Sequence, residues 1–547
     1  MNARPDLARR WYLPLVLVVG VATVIAFWVY ASDESGQRVA AYGGTYVEAS
    51  AGAPQRVNPV YAGSNPADAD LASLIFSGLT RLAPDGRVVP DLAERWEISD
   101  DGTEYTFRLR DGIVWHDGED LTADDVVFTW GVLSNEDFDG DPDLGSFWQT
   151  VSAERVNDLT VRFTLTEPFS PFLTQTTIGI LPEHLLAGVA IEELAQSSFN
   201  QEPIGSGPYR FESLTNRSAS LISNNAFHLG PPYIERIRID YYASEEAAVL
   251  AAANGEADGV YLTSVVGRDQ VTSLDEDHDL LALTANSYTM LYLNWQLPAF
   301  QDDTVRRAIA FAINREAIVD DIYGGRGVLS DSVITPDTWA WTEAFEPYPY
   351  DPERAEALLA DAGWIRAPNG IRARDGLELS FELITNNDST RTAIAAQIAG
   401  DLEQVGIGVS FSSSGSPTLY EQVLQPHLFD MALFGFSQGP DPDPFPAWHS
   451  SQADGGANIA AYSDPQSDEN LSQARISSDR DRRAELYLRF QQTFYNSQPS
   501  VLLFYPTNLY VLPDALGGVE TSVAFESHSR FSNVWEWYLE TERVSDE

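Results

Sequence analysis

The first signal along the chain is a change of hydrophobic period. From Thr103 to Arg110 (TEYTFRLR) apolar and polar residues alternate. Tyr105, Phe107 and Leu109 fall on one side, which predicts a strand with one buried face. Asp111-Gly112 then turns the chain into IVWHDG, and the pair predicts a hairpin. Thr122 with Asp125 three residues later predicts a capped helix through Val126, Val127 and Trp130. Ser244 predicts the start of a helix over AAVLAAA, and Asn254-Gly255 its end. Val305, Ala308, Ile309, Ala312 and Ile313 share one helical face, and Gly324-Gly325 closes that region. Asp351-Pro352 opens a helix that turns Ala355, Leu358, Leu359 and Ala362 inward and stops at Gly363. Arg391 to Val405 reads as a helix and GVSF after it as a strand. Strands and helices interleave throughout, which predicts an α/β body. There is no repeat at a period of about 20–50 residues.

The N-terminus breaks this pattern. Trp11 to Ala31 is an uncharged run of 21 residues, WYLPLVLVVGVATVIAFWVYA. As a helix it would cross a hydrocarbon core of about 30 Å. Arg4, Arg9 and Arg10 precede it and Asp33 and Glu34 follow, which predicts that the N-terminus stays inside and the body lies outside. Val29-x-Ala31 has the small-residue form of a cleavage site, but the run is longer than the about 7–15 apolar residues of a signal peptide. We therefore expect a cytoplasmic stub over 1–10, a membrane anchor or signal segment over 11–31 and a polar tether over 32–41. The rest is exported to the periplasm or cell surface, and nothing later is apolar for long enough to span again.

Composition narrows the chemistry. Of 547 residues, 81 are acidic and 33 basic, a net charge of −48. Every basic residue is Arg, and Lys and Cys are absent. Without Lys there is no P-loop lysine, Schiff-base lysine or Ser-x-x-Lys centre. Without Cys there is no thiol nucleophile, iron–sulfur cluster, Cys-type zinc site, disulfide or acylated lipoprotein cysteine. The negative field excludes nucleic acid as a natural partner. A GC-rich genome accounts for missing Lys but not for the acidic excess, which suits life in high salt.

No catalytic or metal constellation stands out, and no cofactor is implied. None of the seven His (116, 184, 228, 278, 427, 449, 528) pairs with another at the i, i+4 spacing of a helical zinc site. Asp137, Asp139 and Asp141 imitate a Ca²⁺ loop, yet Gly140 is two positions early and Trp148 stands where the bidentate Glu belongs, so a solvated loop is expected. Gly205-Ser206-Gly207 lacks the frame of a nucleophile elbow. What remains are segments rich in Gly, Pro and aromatics: AGSNP (62–66), IGSGPYRF (204–211), LNWQ (293–296) and GFSQGPDPDPFPAWHSS (435–451). Fixed loops beside flat apolar side chains suit a concave, non-covalent ligand site.

Together these segments resemble family 5 of the solute-binding proteins of ABC importers, the peptide- and oligopeptide-binding group. The likeness runs from Gly43 to about Tyr538. It includes residues 74–130, IGSGPYRF, NNAFHLGPPYIERIRI (224–239), LAAANGEADG (250–259), VRRAIAFAINREAIV (305–319), DPERAEALLADAGW (351–364) and NIAAYSDPQSDENLSQA (458–474).

The resemblance implies a periplasmic-binding-protein-like clamshell of two α/β lobes with an extra domain on the first. Lobe I would take 42–62, 203–283 and 503–540, the additional domain 63–202, lobe II 284–502 and a tail 541–547. It implies a peptide or other small solute in the interlobe cleft, a membrane permease as partner and a monomeric ectodomain without enzymatic activity. Carried over by position, the cleft residues would be Ile204, Gly205 and Ser206, then Phe436, Ser437, Gln438 and Gly439 after MALFGF. Relatives hold an Asp in that second loop for the ligand's ammonium. Here the position falls on Gln438 or Gly439, and the nearest acids are Asp441 and Asp443. Arg391 stands near where some relatives hold a peptide carboxylate. Three other readings stay open: a non-peptide solute such as a sugar, opine or metal chelate; a tethered sensor; and an exported hydrolase.

Overall fold

One long strand, Val501–Pro513, organises the molecule. In the computed structural model, which describes residues 37–264, 271, 274 and 278–544, this strand belongs to two halves of one sheet. Its first part pairs with Ser287–Leu293, the last contact being Thr289 with Phe504. Beyond that strand follow Met431–Ser437, Ser380–Asn386 and Gly408–Ser414. Its second part pairs with His278–Ala285 from Thr507 onward, and with Gly259–Leu262. Next come Thr45–Ala51, Arg236–Tyr242, Ser218–Ser223 and Tyr209–Leu214. Asn286 and Tyr505-Pro506 thus lie where one half gives way to the other. Pro506 has no N–H to give to a ladder, which suits the junction.

Each half has its own core. In the half that ends at Tyr209–Leu214, Tyr46, Ile237 and Ile239 of the sheet pack with Leu71, Leu74 and Ile75 of the helix Pro66–Ile75 and with Trp537. In the other, Ser287–Leu293 is covered on both faces. Leu291 and Leu293 meet Ile309, Ile398 and Leu402, while Tyr288, Met290 and Tyr292 meet Trp448, Tyr487 and Phe490. A strand buried on both faces shows no alternation, so periodicity could not reveal it.

A separate four-stranded antiparallel sheet packs on the first half: Ala93–Ile98, Glu104–Leu109, Thr160–Leu165 and Val151–Asn157. Its core is aromatic, with Phe107, Trp130, Trp148, Phe163 and Phe172 in mutual edge and tilted contacts. The half-buried strand predicted over Thr103–Arg110 is the second of these. The hairpin predicted after it does not form. Both edges of Glu104–Leu109 are taken by Ala93–Ile98 and Thr160–Leu165, and Val114–Asp120 makes only an isolated bridge. The helix caps are present: Thr122 with Asp125, Ser244 and Asp351 each accept backbone N–H groups, and Gly255 and Gly363 take positive φ at the stops. The helix read over Arg391 to Val405 runs from Ser389 to Gln404.

The tether expected over 32–41 is a strand from Gln37 to Ala41, paired antiparallel with Glu540–Val544. Its partner stands at the far end of the chain, so no local signal marks it. The apolar run Trp11–Ala31 lies outside the described residues. Among the described residues no helix is long and apolar enough to cross a membrane.

Candidate functional site

A cavity of about 720 Å³ opens where the first half of the sheet, the four-stranded unit and the second half meet. One wall is the segment Tyr61–Ser64 and the helix after it, through Ala69, Ala72 and Phe76. Asn65 caps that helix by accepting the Ala67 N–H at 3.0 Å, and Pro66 follows at its first turn, so AGSNP ends as a fixed edge of the cavity. A second wall is the acidic loop at Asp139–Pro142 together with Thr174–Gly179. A third comes from the C-terminal region, with Val523, Phe525, His528, Phe531 and Trp535. From the other half of the sheet only Pro440 reaches it.

The walls are tied together by buried charge. Arg530 donates to Glu48 Oε1 at 2.8 Å from Nε, and to Asp70 Oδ1 and Oδ2 at 2.8 and 2.6 Å from Nη1 and Nη2. Tyr510 and Tyr46 donate to the free Glu48 oxygen at 2.7 and 3.0 Å. The triad joins the strand Thr45–Ala51, the helix Pro66–Ile75 and the turn Ser527–Phe531. The two carboxylates hold Arg530 charged and push its pKa well above the usual range, against the opposing effect of burial. Removing one member of such a group leaves an uncompensated charge and costs about 3–5 kcal/mol.

None of the nine residues expected at the site lines this cavity, although their neighbours Pro208 and Pro440 do. Ile204 is half-buried against the aromatic core, and Gly205 and Ser206 are buried. The reason is close packing. A Cβ on Gly205 would stand 1.9 Å from the Ile75 carbonyl oxygen, and Gly207 donates its N–H to that oxygen at 2.8 Å. His116 fixes the loop from the other side. Its Nδ1 accepts the Gly205 N–H at 3.2 Å and its Nε2 donates to Gly207 O at 3.1 Å, so the ring is the neutral Nε2–H tautomer. Burial lowers its pKa to about 4, which keeps it neutral. The Ser206 hydroxyl has no partner.

The second expected loop sits at the junction of the two halves. Phe436 stacks on Tyr288 with ring centroids 5.6 Å apart. Gln438 donates its backbone N–H to Asn286 O and its side-chain amide to Thr335 Oγ1, both at 2.9 Å. Asn286 returns its amide to the carbonyls of Gln438 and Gly439, at 3.1 and 2.8 Å. Ser437 and Gly439 are exposed. Asp441 is turned away, held by Arg483 at 2.5 and 3.0 Å. Asp443 is buried beside Arg475 at 3.4 Å, and burial raises its pKa to about 6 against the opposing charge. Arg391 lies 5.2 Å from the Phe434 ring centroid, against Gly435, where a Cβ would come within 2.8 Å of its Nη2. Burial lowers its pKa; Asp388 opposes this through space but does not pair with it.

The second half also meets the four-stranded unit's region directly, at residues outside the cavity lining. Trp339 donates its N–H to Asp85 O at 3.1 Å, and Ser170 donates from N and Oγ to Arg475 O at 2.8 and 2.9 Å. The Arg475 guanidinium stands 5.1 Å from the Phe169 ring centroid and 4.3 Å from that of Phe445.

A two-lobed α/β body whose lobes share a strand, with a cavity in the first lobe and its added unit that Pro440 of the second lobe borders, has the architecture of a periplasmic-type binding protein. Residues 87–457 match the model for bacterial extracellular solute-binding proteins, family 5 Middle, and the chain belongs to this extracytoplasmic family. It is 30% identical over 509 residues to the oligopeptide-binding protein AppA of Bacillus subtilis, covering 91% of this chain and 92% of that one. The structure of AppA in complex with a nonapeptide superposes with a TM-score of 0.65 at 28% identity, over 92% of this chain and 100% of the other. NikZ of Campylobacter jejuni in complex with Ni(L-His) superposes with a TM-score of 0.67 at 30% identity, over 90% and 99%.

Proposed function

We propose that the protein is the solute-binding subunit of an ABC importer. It captures a peptide, or a solute of similar size, between its lobes and hands it intact to a membrane permease. The observation that carries this reading is the cavity of about 720 Å³ edged by Tyr61–Ser64 and capped from the opposite lobe by Pro440. A volume of that order suits a small ligand. A relative matching almost the whole chain is named for oligopeptides.

In this reading lobe I comprises 42–62, 203–283 and 503–540, the additional domain 63–202 and lobe II 284–502. The crossing points at Asn286 and Tyr505-Pro506 support the division between the lobes. Closure is a swing about these points that brings ligand contacts from both lobes together and is favoured by the ligand's preference for the shut form. Trp11–Ala31 anchors the body outside the membrane. Arg391 offers lobe II's charge to a ligand carboxylate. Exposed Ser437 and Gly439 offer backbone and hydroxyl groups.

A second reading keeps the fold and changes the solute. With Gln438 committed to Asn286 and Asp441 to Arg483, the loop at 436–441 presents no free carboxylate to an ammonium. That favours a solute without a free amino terminus. NikZ, solved in complex with Ni(L-His), is a relative whose solute is not a peptide. Native mass spectrometry of the purified protein tests both readings: a co-purified peptide supports the first, a non-peptide the second. Small-angle scattering should show a smaller radius with that molecule than without it. An unchanged radius, or chemical turnover of the molecule, counts against capture and release.

A further inference from the structure

Among the described residues, Arg81 makes neither an ion pair nor a side-chain hydrogen bond, and its Nε is buried without a partner. Arg56 also lines the cavity without an ion pair, but of the two only Arg81 has a buried Nε without a partner. Arg81 sits in the short strand Thr80–Leu82 and lines the cavity. Its guanidinium lies 5.0 Å from the centroid of the Trp535 ring, which also lines the cavity. A guanidinium over an indole face is held by the ring and can still meet a planar, two-oxygen partner through its Nη groups. The acids nearby are engaged elsewhere. Asp91 is bonded to His228 at 2.6 Å, and Glu536 accepts from Asn533 at 3.1 Å. Arg110 bonds the Asp91 carbonyl oxygen at 2.7 Å and adds a second positive charge. Burial works against the charge of Arg81, yet no protein group compensates it by direct contact.

We infer that Arg81, held over Trp535, binds a carboxylate of the captured solute in the cavity of lobe I and the additional domain. This rests on the reading of that cavity as the ligand site and adds a chemical class to it: the solute carries a carboxylate at the lobe I end. In a peptide that group is either the C-terminal carboxylate or an acidic side chain. The charges of Asp91 and Glu536 disfavour a loosely held anion. A carboxylate in two-point contact with the guanidinium overcomes them at short range.

The test is calorimetry on the full-length chain with five probes: Ala-Ala-Ala-Ala, its C-terminal amide, the C-terminal amides of Ala-Ala-Asp-Ala and Ala-Ala-Asn-Ala, and succinate. One charged probe should bind about tenfold or more tightly than its neutral counterpart. The preferring pair tells which carboxylate is read. Arg81→Gln should abolish the preference while Arg482→Gln, at an exposed surface arginine, leaves it. If the Gln variant does not fold, Arg81→Lys should bind the charged probe several-fold more weakly than the wild type, and equal affinity overturns the inference. Survival of the preference in Arg81→Gln, no preference in the wild type, or no binding of any probe each overturns it too. Binding of succinate alone, lost in Arg81→Gln, sustains Arg81 and removes the peptide reading.

Discussion

The loops at 61–65 and 204–208 are made of similar parts, glycine and serine next to a proline, and they do opposite work. Gly63 has nothing within 4 Å of where a Cβ would stand and faces the cavity. Gly205 has the Ile75 carbonyl 1.9 Å from that point and faces the protein. One glycine leaves room for a ligand; the other leaves room for a helix end. A Gly/Pro segment therefore reports that something comes close to the backbone, and only the fold says whether that neighbour is internal or captured.

Substitutions can widen or collapse this contrast. Gly205→Ala has the largest expected effect, a loss of about 3 kcal/mol or more in chemical denaturation, because its neighbour is backbone and cannot step aside. His116→Ala should cost about 2 kcal/mol by orphaning the buried Gly205 N–H and removing one of the two donors to Gly207 O, the other being Asn224 at 2.9 Å. It should also change the pH profile. The folded-state pKa of about 4 lies below the ordinary 6.5, so the unfolded chain binds the proton more readily. The wild type should thus lose stability as pH falls from about 6.5 to 4, and the variant should lose less. Asp443 acts in the opposite sense. Its folded pKa of about 6 lies above the ordinary 3.8, so Asp443→Asn should remove a gain in stability as pH falls through that interval. Gly63→Leu should leave the melting temperature within about 2 °C yet weaken binding of the co-purified molecule roughly tenfold or more. Smallest is Ser206→Ala, which removes a buried hydroxyl without a partner and should stabilise by up to about 1 kcal/mol while leaving affinity unchanged. A loss of affinity there would move the ligand to the 204–208 loop.

The same contrast explains what could be read in advance. Helices with local caps, such as those after Thr122 and Asp351, are written in a few adjacent residues. The α/β class follows from the interleaving of periods. Of the cavity, the sequence marks AGSNP, whose fixed loop is a local property. It does not mark Phe525, Phe531 or Trp535, which reach the cavity through short turns without periodicity, more than 450 residues from Tyr61–Ser64. Arg81 is silent for another reason: its isolation from carboxylates is a fact of three-dimensional neighbourhood. Gln438 is expected at the cleft from its loop, but its partner Asn286, 152 residues away, makes it a junction residue.

The shared strand Val501–Pro513 makes the joint between the lobes a flexure instead of a pin. In the proposed closure the bend falls at Tyr505-Pro506, where the ribbon's pairing passes from Ser287–Leu293 to His278–Ala285 with Gly327–Val328 alongside, while Asn286 gives a second, parallel leaf. Such a pair of leaves resists twist and sideways slip but yields in one direction. Each opening stroke then repeats the same path, and the lobes return face to face without searching for one another.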